Sequence, residues 1–276
     1  MTFSSSLSSL CKVFDVSRQA FYRRQKQRIE VLLQEELVMQ LVLEKRTDLP
    51  KVGGKKLYHM LKEDLQAFKK SIGRDKFFDF LRKNDLLIKR RRSHARTTNS
   101  RHRFKKYMNL IKDLILSRSN QVWVCDITYL KTAQGFVYLA LITDLYSRKI
   151  IGYDLSRSLT AAGSLRALRM ALSQAKKGTK GIVHHSDRGV QYCCHAYVNL
   201  LKKHEIEISM TEENHIAENA TAERVNGILK GEFDLDQVYP SFARARLAVV
   251  QSIRKYNEIR PHNSLNLRTP EEAHAA

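Results

Sequence analysis

Residues 121–156 read QVWVCDITYLKTAQGFVYLALITDLYSRKIIGYDLS. Three runs rich in β-branched and aromatic residues, 121–130, 136–144 and 148–156, are joined by short turns at Ala133-Gln134-Gly135 and Ser147-Arg148. This pattern predicts three strands in a meander. Asp126 stands inside the first run, between Cys125 and Ile127. A buried charge without a partner is costly there. Asp126 is therefore either a hydrogen-bonded structural residue or a functional acid.

Downstream the pattern alternates. Residues 160–176 have helical periodicity, 181–186 a short strand, 190–203 a helix, 205–210 a strand, and 217–233 and 241–260 helices. The order β-β-β-α-β-α-β-α-α predicts an α/β fold, a mixed sheet with helices on both faces. That is the ribonuclease H-like order.

Two more acids stand out in this half. Asp187 closes the run Gly181-Ile182-Val183-His184-His185-Ser186-Asp187 and precedes Arg188-Gly189. Strand ends of this kind carry ligands, although an Asp there can also cap the next helix. Glu223 follows after 35 intervening residues. Asn219, Glu223, Asn226 and Lys230 share one polar helical face, opposite Ala222, Val225, Ile228 and Leu229. Lys230 lies two turns past Glu223, about 10 Å along the axis, where its ammonium could hold a phosphate. A solvated charged stripe is the plainer alternative. Three acids from separate elements suit Mg2+, which takes one or two carboxylates plus water and substrate oxygens. Two such ions about 4 Å apart activate an attacking oxygen and stabilise a leaving one. Without metal the acids repel one another, so the site is expected to be poorly ordered.

The substrate class follows from charge. The 276-residue chain carries +21, and residues 51–107 hold 19 basic against 5 acidic residues. Two thirds of the excess thus lies in a fifth of the chain, which points to phosphate. Residues 89–106 contain nine bases and no acid. We read them as an extended linker gripping the DNA backbone through Arg90, Arg91, Arg92 and Arg96. In residues 7–24, Leu7, Leu10 and Cys11 share a helical face, Asp15-Val16 makes a break, and Ser17 caps a second helix bearing Arg18, Gln19, Arg23 and Arg24. This is a helix-turn-helix pattern whose second helix reads DNA, or else an ordinary helical hairpin. Residues 29–46 form an amphipathic helix whose Ile29, Leu32, Leu33, Leu37, Leu41 and Val42 make either core or a partner surface, with core the expectation. Pro50 and Gly53-Gly54 break the chain before a second helix pair. The expected divisions are 1–48 (helix-turn-helix and amphipathic helix), 49–88 (a second such unit), 89–118 (basic linker and helix) and 119–276 (catalytic core with a C-terminal helix).

The four cysteines Cys11, Cys125, Cys193 and Cys194 form no C-x-x-C pair. They fit a reducing cytosol, and His184, His185, Cys193 and Cys194 match no common zinc finger. No apolar stretch approaches the ~18 residues of a membrane span, and residues 1–10 do not read as a signal peptide.

The strings WVCDITYL, HHSDRGVQY, ENATAERVNGILKGEF and YNEIRPHNSLNLRTPEEAH, spread over residues 121–274, resemble the transposases of bacterial insertion sequences. The match is to the OrfB-type chain of the insertion-sequence-three family, whose core is similar to retroviral integrase. The resemblance implies Asp126, Asp187 and Glu223 as catalytic metal ligands for two Mg2+ ions, with Mn2+ an expected substitute. It places the family's basic residue on Lys230. The family's usual Asp-Asn-Ala before the glutamate is Glu218-Asn219-Ala220 here. The implied activity is 3′-end cleavage and strand transfer by in-line transesterification, without covalent protein–DNA intermediates. The implied partners are double-stranded DNA at element ends and target, a DNA-induced homo-oligomer, and fusion or pairing with an upstream helix-turn-helix protein. The implied location is the bacterial cytoplasm, at the nucleoid, with no membrane.

Three rivals are distinguishable. A covalent-tyrosine recombinase would use the H-x-x-R match His185–Arg188, with Tyr192, Tyr197 or Tyr239 as nucleophile. A catalytically inactive DNA-binding regulator of the element would share the basic N-terminal half but not require the acids. A plain ribonuclease H-type nuclease would cut RNA–DNA hybrids and need no helix-turn-helix-like units.

Overall fold

The computed structural model describes residues 6–68, 70–88, 103–175, 178–212 and 219–276. Arg90, Arg91, Arg92 and Arg96 lie outside the described residues. The chain divides into two compact units, Met1–Asp48 with Gly53–Ile88, and Leu49–Val52 with Lys89–Ala276.

The first unit is helical: α1 (Leu7–Val13), α2 (Arg18–Asp48), α3 (Gly54–Met60), α4 (Lys62–Ala67) and α5 (Arg74–Lys83). The Asp15-Val16 break forms with Asp15 at φ 50°, and the Ser17 hydroxyl accepts from Ala20 N at 3.1 Å. The helix after it does not stop where a separate amphipathic helix was expected. No Gly or Pro interrupts residues 18–48, and α2 runs through all 31 of them. Its only buried residues are Val38 and Val42. Ile29, Leu32, Leu33 and Leu37 are about half exposed, which corrects the core reading of that stripe. The buried set of the unit includes Leu57, Leu61, Leu65, Phe77 and Leu81. Lys83 pairs with Glu35 of α2 at 2.9 Å, and the Arg46 guanidinium donates to Leu86 O.

The second unit carries the sheet. Strands β1 (Val122–Thr132), β2 (Gly135–Asp144) and β3 (Ile150–Ser156) form the meander, and β4 (Val183–Ser186) and β5 (Glu207–Met210) follow. The order is β3-β2-β1-β4-β5, with β1–β2–β3 antiparallel and β4 and β5 parallel to β1. This is the ribonuclease H-like sheet. A two-residue strand missed in the sequence, β6 (Val238–Tyr239), pairs parallel with the far end of β1.

Both faces of β1 are covered, which explains its nearly unbroken apolar composition. Trp123 and Cys125 join a core with Ala167, Leu168 and Ala171 of α6 (Ala161–Gln174). That core also takes Tyr192 of α7 (Val190–Cys193) and Tyr197 of α8 (His195–Lys203). Val122 and Val124 pack on the other face with Ala222 of α9 (Ala220–Glu232). Gly152 lets α6 lie on β3, since a Cβ there would collide with the carbonyl of Ala167.

The helix expected at the end of the basic linker is absent among residues 103–121. Backbone partners on β5 compete for that segment. Met210 N donates to Met108 O at 3.3 Å, and Leu110 N to the Ser209 hydroxyl at 2.8 Å. Phe104 and Tyr107 pack on the main core. The segment is thus an extended strap on the edge strand, a common way of covering an open edge. The expected helix 190–203 is split at an extended Cys194, a break that nothing in the local sequence marks.

The C-terminal motif closes the sheet. Asn257 of α10 (Phe242–Glu258) bonds both N and O of Ile150 at 2.9 Å. Buried Arg260 forms a bidentate pair with Glu232 at 2.7 and 2.8 Å. Helix α11 (Pro270–Ala275) starts with a Thr269/Glu272 capping box and sends His274 Nδ1 to the Ser147 hydroxyl at 3.0 Å.

Candidate active site

The β1–β4 register sets the first feature. Val122 pairs with Val183, Trp123 with His184 and Val124 with His185. The pairing ends at Val124 and His185, and Asp126 and Asp187 each follow two residues beyond it, near enough for the Asp187 charge to act on Asp126. Asp126 Oδ1 accepts from Ile127 N at 2.8 Å and Asp187 Oδ1 from Gly189 N at 2.9 Å. A Cβ on Gly189 would crowd the Asp187 carboxylate at 2.9 Å.

Helix α9 supplies the third acid and its anchors. Asn219 Nδ2 donates to Cys125 O at 3.0 Å, and Asn226 Nδ2 to Asp126 Oδ2 at 2.7 Å. Glu223 lies between these two asparagines on the same helical face and is exposed. Both asparagines are buried, and among the described residues neither Oδ1 has a hydrogen-bond partner. The sequence showed them only as members of a polar stripe. Their bonds to β1 depend on contacts across the fold.

Electrostatics tie the acids together. Burial, then the Asp187 charge, pushes the Asp126 carboxyl up to about 7, with Glu223 adding to the rise against the Ile127 and Asn226 hydrogen bonds. The site carries surplus negative charge and offers hard oxygen donors, so its chemistry fits a divalent cation. Among the described residues, no three His, Cys, Asp or Glu side chains are already drawn into a metal-ligating cluster. Lys230 Nζ lies 4.3 Å from the Tyr129 ring centroid, and burial lowers its pKa while the Asp236 and Asp126 charges oppose that shift.

The neighbouring histidines and tyrosines are structural. His184 Nε2 meets the Tyr197 hydroxyl at 2.9 Å, and His185 Nδ1 the Ser209 hydroxyl at 2.8 Å. Burial, then His185, lowers His184 to about 3, so it is neutral. Tyr192 and Tyr197 are buried, which removes both as exposed covalent nucleophiles. Cys11, Cys125 and Cys193 are buried free thiols, and Cys194 is partly so. In the other unit, Arg18, Gln19, Arg23 and Arg24 are exposed on the first two turns of α2.

Two family profiles, both described as integrase core domain, match residues 117–215 and 204–270. The 31 kDa protein of insertion element IS600 from Shigella sonnei is 31% identical over 230 residues, 81% of each chain. The transposase InsF for IS3A of Escherichia coli K12 is 34% identical over 194 residues, 70% of this chain and 67% of its own. The chain belongs to the IS3 family of transposases. The transposase for IS629 of Shigella sonnei is likewise 34% identical over 182 residues, 66% of this chain and 61% of its own. Among solved structures, the magnesium complex of the HTLV-2 integrase catalytic core aligns with TM-score 0.46 at 18% identity, over 57% of this chain and 97% of that one. A simian T-cell lymphotropic virus intasome aligns with TM-score 0.48 at 16% identity, over 82% and 71%. As an IS3-family member the chain is a DNA transposase, a polynucleotidyl transferase with an integrase-type core. Relatives named as transposases do not favour the regulator reading.

Proposed function

We propose that Asp126, Asp187 and Glu223 are the catalytic carboxylates of this transposase and hold its divalent cations, two Mg2+ with Mn2+ able to replace them. When bound, the ions supply Lewis-acid stabilisation of the attacking and leaving oxygens. The side chains do the rest. Asn226 fixes the rotamer of Asp126 through its 2.7 Å bond, and Asn219 and Asn226 together seat Glu223 over β1. Lys230 holds a non-bridging oxygen of the scissile phosphate. Water first frees a 3′-hydroxyl at the element end, and that hydroxyl then attacks a second phosphodiester in line.

The observation that carries this reading is that Asp126 and Asp187 follow the ends of two paired strands and interact electrostatically, with the Glu223 helix bonded to the first. Element ends and target DNA are the substrates. The helical N-terminal unit, through Arg18, Gln19, Arg23 and Arg24, and the basic segment, through Arg90, Arg91, Arg92 and Arg96, bind them. Residues 1–48 and 49–88 would act in end recognition, 89–118 as the grip on the backbone, and 119–276 in catalysis. Two ends must be joined, so we place the working form in a DNA-induced oligomer in the bacterial cytoplasm, alone or fused to an upstream helix-turn-helix protein.

The test uses a labelled element-end duplex with Mg2+, scored for 3′ cleavage and joining. Asp187→Asn is expected to lose roughly a thousandfold in rate, about 4 kcal/mol of transition-state stabilisation, while still binding the end. Parent-level activity in Asp187→Asn would refute the assignment.

A further inference from the structure

Among the described residues, nothing covers the N-terminal half of α2. Every residue from Phe21 to Leu33 is exposed. Six of those thirteen are large and apolar: Phe21, Tyr22, Ile29, Val31, Leu32 and Leu33. A helix gains most of its stability by packing an apolar face, and stretches of about a dozen residues are marginal alone in water. Contiguous exposed apolar surface of this kind marks an interaction face.

The spacing defines the face. Tyr22, Ile29, Glu36 and Leu43 recur every seven residues, with Gln25, Leu32 and Met39 three residues after the first three of these. That is the a/d pattern of a two-helix seam. It lies away from Val38 and Val42, the buried residues of α2. Charge is segregated along the helix. Residues 18–28 hold five bases (Arg18, Arg23, Arg24, Lys26, Arg28) and no acid, whereas residues 33–43 hold Glu35 and Glu36 and no base.

We propose that this face of α2 pairs with α2 of a second copy of the chain in antiparallel orientation. With Ile29 against Leu32 of the second copy, Tyr22 meets Met39 and Gln25 meets Glu36. The basic segment of each copy then lies along the acidic segment of the other. Parallel pairing would instead set Glu36 against Glu36 and base against base. The antiparallel arrangement is isologous and closes on itself as a two-fold dimer. The inference does not depend on the assignment of the acids, because it concerns the helical unit alone.

Sedimentation of the full chain without DNA, across the micromolar range, tests it. A concentration-dependent dimer is expected. Leu32→Glu should raise its dissociation constant at least about tenfold. At concentrations where the parent is monomeric it should leave the melting curve unchanged, since Leu32 is exposed in the single chain. Glu36→Arg should also weaken the dimer, because it then faces the basic segment of the second copy. A monomer at every concentration overturns the proposal, as does a dimer indifferent to Leu32→Glu. If Glu36→Gln alone strengthens association, by relieving Glu36 against Glu36, the pairing is parallel and the proposal fails. If Leu32→Glu weakens DNA binding with no change in mass, the face serves DNA and the proposal fails equally.

Discussion

Asp126 is the residue where fold and chemistry conflict. Burial and the Asp187 charge push its carboxyl up to about 7, against about 4 for a solvated carboxylate. Between those values the folded chain keeps a proton that the unfolded chain has lost. Metal-free stability therefore falls as pH rises from about 4 to about 7, and the loss is complete above the folded value. Asp126→Asn removes that cost. Urea unfolding at pH 8 without metal should find the variant more stable than the parent by on the order of 1 kcal/mol after solvent screening, and nearly equal to it at pH 4. Equal parent and variant stability at both pH values would show that the strain at this carboxyl is absent. Cation binding requires the ionised form, so Mg2+ affinity should rise over the same window.

Among the elements, α10 and α11 show how a recognisable sequence motif can be architectural. The string YNEIRPHNSLNLRTPEEAH helped to identify the family, yet its side chains bind the sheet and one another. Asn257 bonds both backbone groups of Ile150, and Arg260 bonds Glu232. His274 and Ser147 surround Asp144, which has no exposed surface. Burial would raise the Asp144 pKa, but hydrogen bonds from His274, Ser147 and Asn120 outweigh it and hold the group below its usual range. Asn257→Ala leaves two buried backbone groups without partners and should cost about 2–3 kcal/mol. Thermal melting reads that loss, while strand transfer well below the melting temperature should stay within about twofold of the parent. Lost activity with unchanged stability would assign Asn257 to the chemistry instead.

At the scale of the whole molecule, charge is distributed by task. Most of the positive excess lies in residues 51–107, whereas the acids proposed for catalysis lie at Asp126, Asp187 and Glu223. If Arg90, Arg91 and Arg92 each neutralise a phosphate, replacing all three with Ala should flatten the plot of log affinity against log salt by about 2–3 units. The effect should be alike on element-end and unrelated duplexes, because backbone contacts carry no sequence information. An unchanged salt slope would remove that segment from the DNA interface.

Apolar runs and helical patterning in residues 121–260 determined the element order, because both faces of β1 are buried and its run had to be nearly unbroken. The same patterning could not tell a buried stripe from an exposed one, so Ile29, Leu32 and Leu33 looked like core. Short elements also escaped it. The two residues of β6 leave no period, and the strap over residues 103–121 takes its hydrogen bonds from β5. The three acids were marked out by residue type, context and family resemblance. Only tertiary structure decided that the Asp187 charge acts on Asp126, and that two asparagines of α9 bond to β1 beside them. Register between parallel strands, and the docking of a helix on a sheet, are set by packing between segments distant in the chain, which local sequence does not encode.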